Sequence, residues 1–502
     1  MLSGLISPDR LVSLADTLAG EWIARAAPRT SPAHERALLH LCGVDGVDRD
    51  GRSLAAAVVD PYLAEFPERL ADGILLPFAA ALLEYGVAPR ALALDIASGA
   101  VDLALEAQLV QDPDRLGLAE GQARDLVAAS LERIDANRTA TLELAGLFGE
   151  SPRPWFGTTL QATDLEAART EARLLLDAGS DVIRVAMSAG FDGPGGPVLS
   201  GSQVGLAELR RLLDEAGAER GRYVRLLVAG SSPQAPEVAV TAALERADIV
   251  ELDMMSTIVG EGADPERVLV DHLFACALMA RAGLTVSIGP GPLVVAPDLA
   301  AGRPSDAATR AGRAIALQLL SVAFARRSGL AAGQIVVGSL PPWLVAERHE
   351  TAQAIAEVAL RRALFPEHGL VFDEPSGQDG LDVWPFLVAA AIVGDDPAAL
   401  VLRRTEPERL RYVAQSTRAA LRVSQGVAAG LEPRALRGPA LDHARDCARS
   451  AADVLERVAG EGWPVVTGIP ATEVVSTTGH ELVAVRRSAL DPLGLRRAGS
   501  TG

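Results

Sequence analysis

The chain has 502 residues, 49 % of them hydrophobic and 22 % charged, so it is long enough to bury a large core without disulfide or metal cross-links. Its 47 basic and 65 acidic residues give a net charge of −18, which argues against nucleic acid as a main partner. No uncharged apolar run of about 20 residues is present, and the N-terminus carries charges where a signal peptide has its apolar core. We therefore expect a soluble cytoplasmic protein with no membrane partner.

All 47 basic residues are arginine, and the chain contains no lysine. Arginine stays protonated and forms no imine, so this chain alone cannot hold a cofactor aldehyde or a carbonyl substrate as a Schiff base. The three cysteines lie far apart without CxxC spacing, and the seven histidines show no HxxxH pair. The sequence therefore predicts neither a disulfide framework nor a metal site.

Residues 1–150 are predicted to form an N-terminal helical region. Apolar residues recur at helical spacing in four segments, 9–27, 32–42, 75–85 and 119–147. Pro152 and Pro154 then mark a boundary, after which short β-branched runs alternate with longer amphipathic segments.

Eight short apolar runs after this boundary are predicted strands: 155–160, 181–186, 223–229, 248–253, 285–288, 335–337, 370–372 and 399–402. Helical patterns separate them, at 165–178, 206–220, 237–246, 265–282, 305–329, 344–365 and 384–393. Strands that alternate with helices predict a parallel sheet, because parallel neighbours need a crossover connection. Eight such units in about 250 residues favour a closed TIM-type β/α barrel over residues 151–405, with an open doubly wound sheet as the alternative.

The remaining residues, 406–502, are predicted to add C-terminal helices at 406–429 and 439–460, followed by a frayed tail from 494. The expected fold class is thus α/β, a barrel with helical additions at both ends.

Active sites of such barrels gather in the loops that follow the strands. The loop after the second predicted strand is rich in glycine and includes Gly195 and Gly196, whose backbone N–H groups suit a phosphate, although a plain flexible connection has the same composition. Ser231 and Ser232 directly follow the third strand, where two hydroxyls suit either a phosphate or the cap of the next helix. Asp253 ends the fourth strand, where a carboxylate suits either a bound amine or the orientation of loop backbone.

The segment LCGVDGVD at residues 41–48, with Gly51 and AVVD at 57–60 after it, resembles the α subunit of the adenosylcobalamin- and pyridoxal-phosphate-dependent lysine 5,6-aminomutases. The similarity continues in order through GRYVRL at 221–226, PEVA at 236–239, ALER at 243–246, LFP at 364–366 and VLE at 454–456. It therefore extends over nearly the whole chain.

The resemblance implies a β/α barrel with extra helices that takes part in a radical 1,2-amino shift on a diamino acid. It implies pyridoxal phosphate and the amino-acid substrate at the barrel mouth. It also implies a smaller β subunit that binds adenosylcobalamin and supplies the Schiff-base lysine. The absence of lysine from this chain agrees with that division.

At the level of residues, the resemblance aligns Ser231 with a serine that contacts the cofactor phosphate and Gly195–Gly196 with a glycine pair. Four other loops depart from the family pattern. Met187 stands where an arginine is expected and Ser256 where a tyrosine stacks on the cofactor ring. Gly291–Pro292 replace an acidic residue and an amide, and Gly377 lies near the place of a substrate-contacting lysine.

Three functions remain open from the sequence. The first is an active aminomutase-like subunit, in which Asp253 is the candidate catalytic residue and Ser231, Ser232, Gly195 and Gly196 are the candidate cofactor-binding residues. The second is a non-catalytic or regulatory barrel that keeps the fold and the partner surface, which the four departures favour. The third, least favoured, is an unrelated barrel lyase or hydrolase, because no histidine or carboxylate cluster follows the predicted strands.

Overall fold

A computed structural model describes residues 7–187, 203–289, 306–338, 351–374, 398–403 and 438–485, together with 415, 419 and 493. Within those ranges it leaves aside 50–51, 111, 152, 154, 163–164, 231–233, 261, 464 and 466–481.

Eight parallel strands close into a barrel, in which each strand pairs with its neighbour in sequence and the last pairs with the first. In chain order they are β2 (Trp155–Thr159), β3 (Val182–Ala186), β4 (Arg225–Ala229), β5 (Ile249–Glu251), β6 (Thr285–Ile288), β7 (Ile335–Gly338), β8 (Gly369–Glu374) and β9 (Ala398–Arg403). The predicted TIM-type barrel is confirmed, and each of the eight predicted strands overlaps an observed one.

The strand register divides the side chains into inward and outward sets. Alternate residues of each strand point into the barrel, because side chains along a strand alternate between its two faces. Trp155, Val182, Leu227, Ile249 and Val336 form a small apolar cluster inside the barrel. The outward residues join a much larger core between the strands and the surrounding helices.

Helices precede the barrel, as predicted. They are α1 (Pro8–Ala26), α2 (Pro32–Leu41), α3 (Leu54–Glu65), α4 (Leu75–Tyr85), α5 (Pro89–Ala97), α6 (Leu103–Leu109) and α7 (Pro113–Phe148), with a 3₁₀ helix at Pro67–Asp72. Helix α7 begins six residues before its predicted start, because Asp112 accepts a hydrogen bond from the Asp114 amide and Pro113 occupies the first turn.

The helices around and after the barrel are α8 (Leu165–Asp177), α9 (Gln203–Arg220), α10 (Ala235–Leu244), α11 (Met254–Gly260), α12 (Pro265–Ala282), α13 (Ala307–Arg327), α14 (Thr351–Leu364) and α15 (Pro439–Glu461). Helix α10 ends two residues early because Arg246 just beyond it adopts a positive φ of 55°. The predicted helices at 384–393 and 406–429 lie outside the described residues, apart from 415 and 419, as does the predicted tail from 494, and the predicted helix at 344–365 is described only from residue 351.

Residues near the two ends of the chain meet beside the barrel. Strand β1 (Arg29–Thr30) pairs antiparallel with β10 (Val483–Ala484). The ring of Trp463 stacks on that of Trp22 in α1 with the ring centroids 4.5 Å apart. Among the described helices, none alone is long and apolar enough to cross a membrane, and one bent pair, α4 with α5, meets the criteria of length and composition only.

Candidate active site

An ion pair lies inside the barrel, near the carboxyl-terminal ends of the strands. We call this end of the barrel the mouth. Arg184 of β3 and Glu251 of β5 both belong to the inward set, and Arg184 Nε donates to Glu251 Oε2 at 2.7 Å. The Arg184 side chain is 10 % exposed and the Glu251 side chain 31 % exposed, so the carboxylate keeps contact with solvent. The mouth therefore presents a nearly buried cation and a partly exposed anion side by side.

Small residues lie near this pair at the carboxyl-terminal ends of neighbouring strands. Ala186 and Ala229 are the last inward residues of β3 and β4, and Ala186 is exposed. Gly338 ends β7, and a Cβ placed on Gly289, just after β6, would lie only 3.8 Å from the Gly338 Cα atom. Backbone rather than side chain thus forms this part of the wall, which lets a ligand approach closely.

A buried hydroxyl belongs to the same inward set of residues. Thr159 is the last residue of β2 and is opposite Arg184 in the strand register. Its side chain is buried, and among the described residues its Oγ1 atom has no hydrogen-bond partner. A buried hydroxyl without a partner is unfavourable, which makes this atom a candidate for a hydrogen bond to a ligand.

Asp253 lies two residues beyond β5, and both of its carboxylate oxygens accept hydrogen bonds within the protein. Oδ1 accepts from the Ser321 hydroxyl at 2.7 Å and the Met255 amide at 3.1 Å, and Oδ2 accepts from the Ser256 hydroxyl at 2.8 Å. Burial raises the pKa of Asp253 to about 6, although the hydrogen bonds from Ser321 and Ser256 oppose that rise. Of the two roles that the sequence left open, these contacts favour the orientation of backbone at the start of α11.

The predicted phosphate ligands Ser231, Ser232, Gly195 and Gly196 lie outside the described residues. Gly230, immediately before the two serines, is described and packs tightly, since a Cβ there would meet the Val238 side chain at 2.7 Å. No group of three or more histidine, cysteine, aspartate or glutamate side chains that could hold a metal ion occurs in the described part of the chain.

Arg184, Glu251 and Thr159 were not among the site residues predicted from the sequence. Arg184 is a charge in the apolar run VIRVA, and a charge at an inward position of a barrel strand is the signal that could have found it. Pairing it with Glu251 requires the register, because the two residues are 67 positions apart in the chain.

A closed barrel of eight parallel strands, with its polar side chains at the mouth, defines a TIM-barrel protein of the kind that works through its βα loops. The family model described as the D-lysine 5,6-aminomutase TIM-barrel domain of the alpha subunit matches residues 9–385. The chain therefore belongs to this family, as its motifs predicted.

Two curated relatives are each called lysine 5,6-aminomutase alpha subunit. The protein from Fusobacterium nucleatum is 26 % identical over 356 residues, which cover 68 % of this chain and 65 % of the relative. The protein from Acetoanaerobium sticklandii is 26 % identical over 363 residues, covering 69 % of this chain and 66 % of the relative. The chain thus spans about two thirds of the length of these relatives.

Among solved structures, the dihydropteroate synthase of Yersinia pestis is 15 % identical and covers 55 % of this chain and 93 % of its own. Its TM-score of 0.35 is too low to support an inference.

Proposed function

We propose that this chain is the barrel subunit of an aminomutase, an isomerase that moves an amino group between neighbouring carbons of a diamino acid. Family membership supports the reaction class. The observation that carries the proposal is the Arg184–Glu251 pair, because it places a cation and a carboxylate 2.7 Å apart inside the mouth.

This pair suits ligands that carry both signs of charge. Arg184 is nearly buried, so a carboxylate or phosphate beside it is poorly screened by water and binds through charge-assisted hydrogen bonds. Glu251 is the complementary partner for a substrate ammonium group, and its contact with solvent keeps it able to exchange partners. The small residues Ala186, Ala229, Gly289 and Gly338 leave room for such a ligand.

The described mouth fits the phosphate of pyridoxal phosphate, because it offers the Arg184 guanidinium and the Thr159 hydroxyl, which has no hydrogen-bond partner among the described residues. Ser231, Ser232, Gly195 and Gly196 are the further phosphate ligands that we propose. When bound, pyridoxal phosphate would supply an electron sink and adenosylcobalamin an organic radical. The residues of this chain would bind and orient the cofactor and substrate and exclude water from them.

A second polypeptide is part of the proposal, because this chain has no lysine for an imine. We propose that a small β subunit binds cobalamin and supplies that lysine at the mouth. We also propose that residues 151–405 form the catalytic barrel domain, while residues 1–150 and 406–502 are helical accessory regions.

The alternative is a non-catalytic or regulatory barrel. The saturated carboxylate of Asp253 favours it, since both oxygens already accept hydrogen bonds from Ser321, Ser256 and the Met255 amide. The departures at Met187 and Ser256 favour it as well.

The test uses the purified complex of this chain with its cobalamin-binding partner and measures the dissociation constant of pyridoxal phosphate by titration. Arg184→Gln should raise that constant at least about tenfold, the value of one charge-assisted hydrogen bond, and Ser231→Ala should raise it severalfold. Arg169→Gln is the control, because Arg169 pairs with Glu208 on the outside of the barrel.

If the dissociation constant of pyridoxal phosphate is unchanged in Arg184→Gln, the phosphate of the cofactor does not bind at this part of the mouth. Cleavage of the adenosyl cobalt–carbon bond on addition of candidate diamino acids separates the two functions. Cleavage supports the aminomutase, and binding of both cofactors without cleavage supports the non-catalytic barrel.

A further inference from the structure

We propose that Gln318 and Arg361 are positioning residues that hold the end of strand β7 at the mouth. This inference rests on the proposed function of the mouth as a ligand site. Neither residue lies at the mouth itself. Gln318 belongs to α13 and Arg361 to α14, both outside the barrel.

One face of α13 reaches the ends of two barrel strands. Gln318 Nε2 donates a hydrogen bond to the carbonyl oxygen of Gly338, the last residue of β7. Ser321, three residues further along the helix, donates to Asp253 just beyond β5. Residues three apart on a helix share a face, so α13 holds two flanks of the mouth with one pair of polar side chains.

The partners of Gln318 fix the orientation of its amide. Arg361 Nε can only donate and contacts Gln318 Oε1 at 3.3 Å, whereas the Gly338 carbonyl can only accept. The NH₂ group must therefore face Gly338. Gln318 is 1 % exposed, so water does not compete for these bonds.

The use of Arg361 to hold the Gln318 side chain carries a large desolvation cost, because the guanidinium is fully buried. Its side chain and that of Glu357 are both fully buried, and the two form an ion pair at 3.2 Å. His443 of α15 approaches the other Glu357 oxygen at 3.5 Å. Replacement of a buried ion pair by apolar residues is often neutral or stabilising, so stability alone gives a weak reason for this arrangement. A requirement for an oriented Gln318 amide gives a stronger one.

The position of the Gly338 backbone matters because this backbone, which carries no side chain, forms part of the wall of the mouth. A Cβ on Gly289 would lie 3.8 Å from Gly338 Cα, so the two glycines are neighbours across β6 and β7. A small displacement of this backbone would change the space left for a ligand, and displacements of about 1 Å can reduce rates about 100-fold.

The test compares Gln318→Glu with the wild-type chain. Glutamate has the same shape and still accepts from Arg361, but it cannot donate to the Gly338 carbonyl while ionised. Arg361→Lys is a second variant that keeps a charge beside Glu357 and loses the fixed bond to Gln318. Ser328→Ala is the control, since Ser328 is the buried residue that follows the C-terminal end of α13, and its hydroxyl donates to the Phe324 carbonyl.

Two measurements separate this inference from the proposed function. Hydrogen exchange of residues 335–338 in the full chain should accelerate about tenfold in Gln318→Glu, less in Arg361→Lys, and not in Ser328→Ala. The dissociation constant of pyridoxal phosphate in the assembled complex should rise severalfold in Gln318→Glu, less in Arg361→Lys, and not in Ser328→Ala.

Exchange that stays unchanged in both variants would overturn the inference. So would faster exchange at β7 with unaltered cofactor affinity, because the contact would then be purely structural. If wild-type protein binds no pyridoxal phosphate, the proposed function fails and the exchange data alone decide whether Gln318 holds the strand.

Discussion

The polar side chains at the two ends of the barrel differ in the contacts that they make. At the amino-terminal end, the Arg225 guanidinium lies 3.6 Å from the ring centroid of Trp155, and the Trp155 indole donates to the Ser151 carbonyl at 3.1 Å. Nearby, the buried Asp248 carboxylate accepts from Tyr223, Arg210 and the Leu226 amide. Bulky side chains thus close this end with contacts made within the chain.

The mouth has the opposite character. Its last inward residues include one glycine and two alanines, its ion pair keeps a partly exposed carboxylate, and Thr159 Oγ1 has no partner among the described residues. One end is therefore built for stability and the other for a ligand, which is the usual division in TIM barrels. The difference predicts that equivalent changes at the two ends have different effects.

The largest effect is expected for Asp248→Ala at the closed end. Removal of the carboxylate leaves Arg210, whose side chain is 4 % exposed, with Asp214 as its remaining carboxylate among the described contacts. The free energy of unfolding should fall by about 3–5 kcal/mol, measured by urea denaturation. Asp177→Ala is the control at an exposed ion pair with Arg220, where the loss should be about 0–1 kcal/mol. Equal losses in both variants would show that the buried contacts of Asp248 at the closed end stabilise the fold no more than an exposed ion pair does.

An intermediate, pH-dependent effect is expected for Asp253→Asn at the mouth. Since the pKa of Asp253 is raised to about 6 in the folded state, its protonated form is favoured by folding, and this contribution is lost as the pH rises from about 4 to 6. Relative to the Asn variant, the wild-type protein should lose about 2–3 kcal/mol of unfolding free energy between pH 4 and pH 7, by urea denaturation at each pH. His272, whose pKa burial lowers to about 4, contributes equally to both proteins and cancels.

Asp306→Asn provides a control of opposite sign. The Thr309 amide lowers the pKa of Asp306, so the wild-type protein should gain stability over this variant as the pH rises through the ordinary aspartate range. A difference between wild type and Asp253→Asn that stays constant with pH would show that Asp253 is as well solvated as a surface carboxylate.

The smallest effect is expected for Thr159→Val. Valine keeps the shape and removes a buried hydroxyl that has no described partner, so the unliganded protein should be unchanged or up to about 1 kcal/mol more stable. Thr158→Val is the matched control on the same strand, because Thr158 Oγ1 is hydrogen-bonded to Ser180 Oγ at 2.7 Å, and it should cost about 1 kcal/mol. Thermal unfolding of both variants measures the contrast, and a loss in Thr159→Val that matches Thr158→Val would argue for a hidden partner of Thr159.

The barrel could be predicted from the sequence because its determinants are local. Helix α12 occupies its predicted range, since Asp264 caps it, Pro265 starts it and Gly283 ends it with a φ of +73°. Strand β5 is shorter than the predicted segment 248–253. The Asp253 carboxylate accepts from the Met255 amide and turns the chain into α11, which ends the strand at Glu251.

The site was harder to predict because it depends on the register between distant segments. Asp253 was identified from its position after a strand, but its partner Ser321 lies 68 residues away and decides its role. Arg184 and Glu251 meet only after three strands pair in register. Ser231, Ser232, Gly195 and Gly196 stay predictions.

The pairing of β1 with β10 has a consequence for how the molecule is made. Arg29 lies opposite Ala484, so the edge of β1 stays uncovered until a segment far later in the chain has been synthesised. Helix α1 also packs against α13 and α15, and Trp22 meets Trp463. During translation these surfaces of α1 are exposed, and such surfaces are where chaperones bind and aggregation begins. Closing this contact joins segments of very large sequence separation, so we expect it to be among the slowest steps of folding.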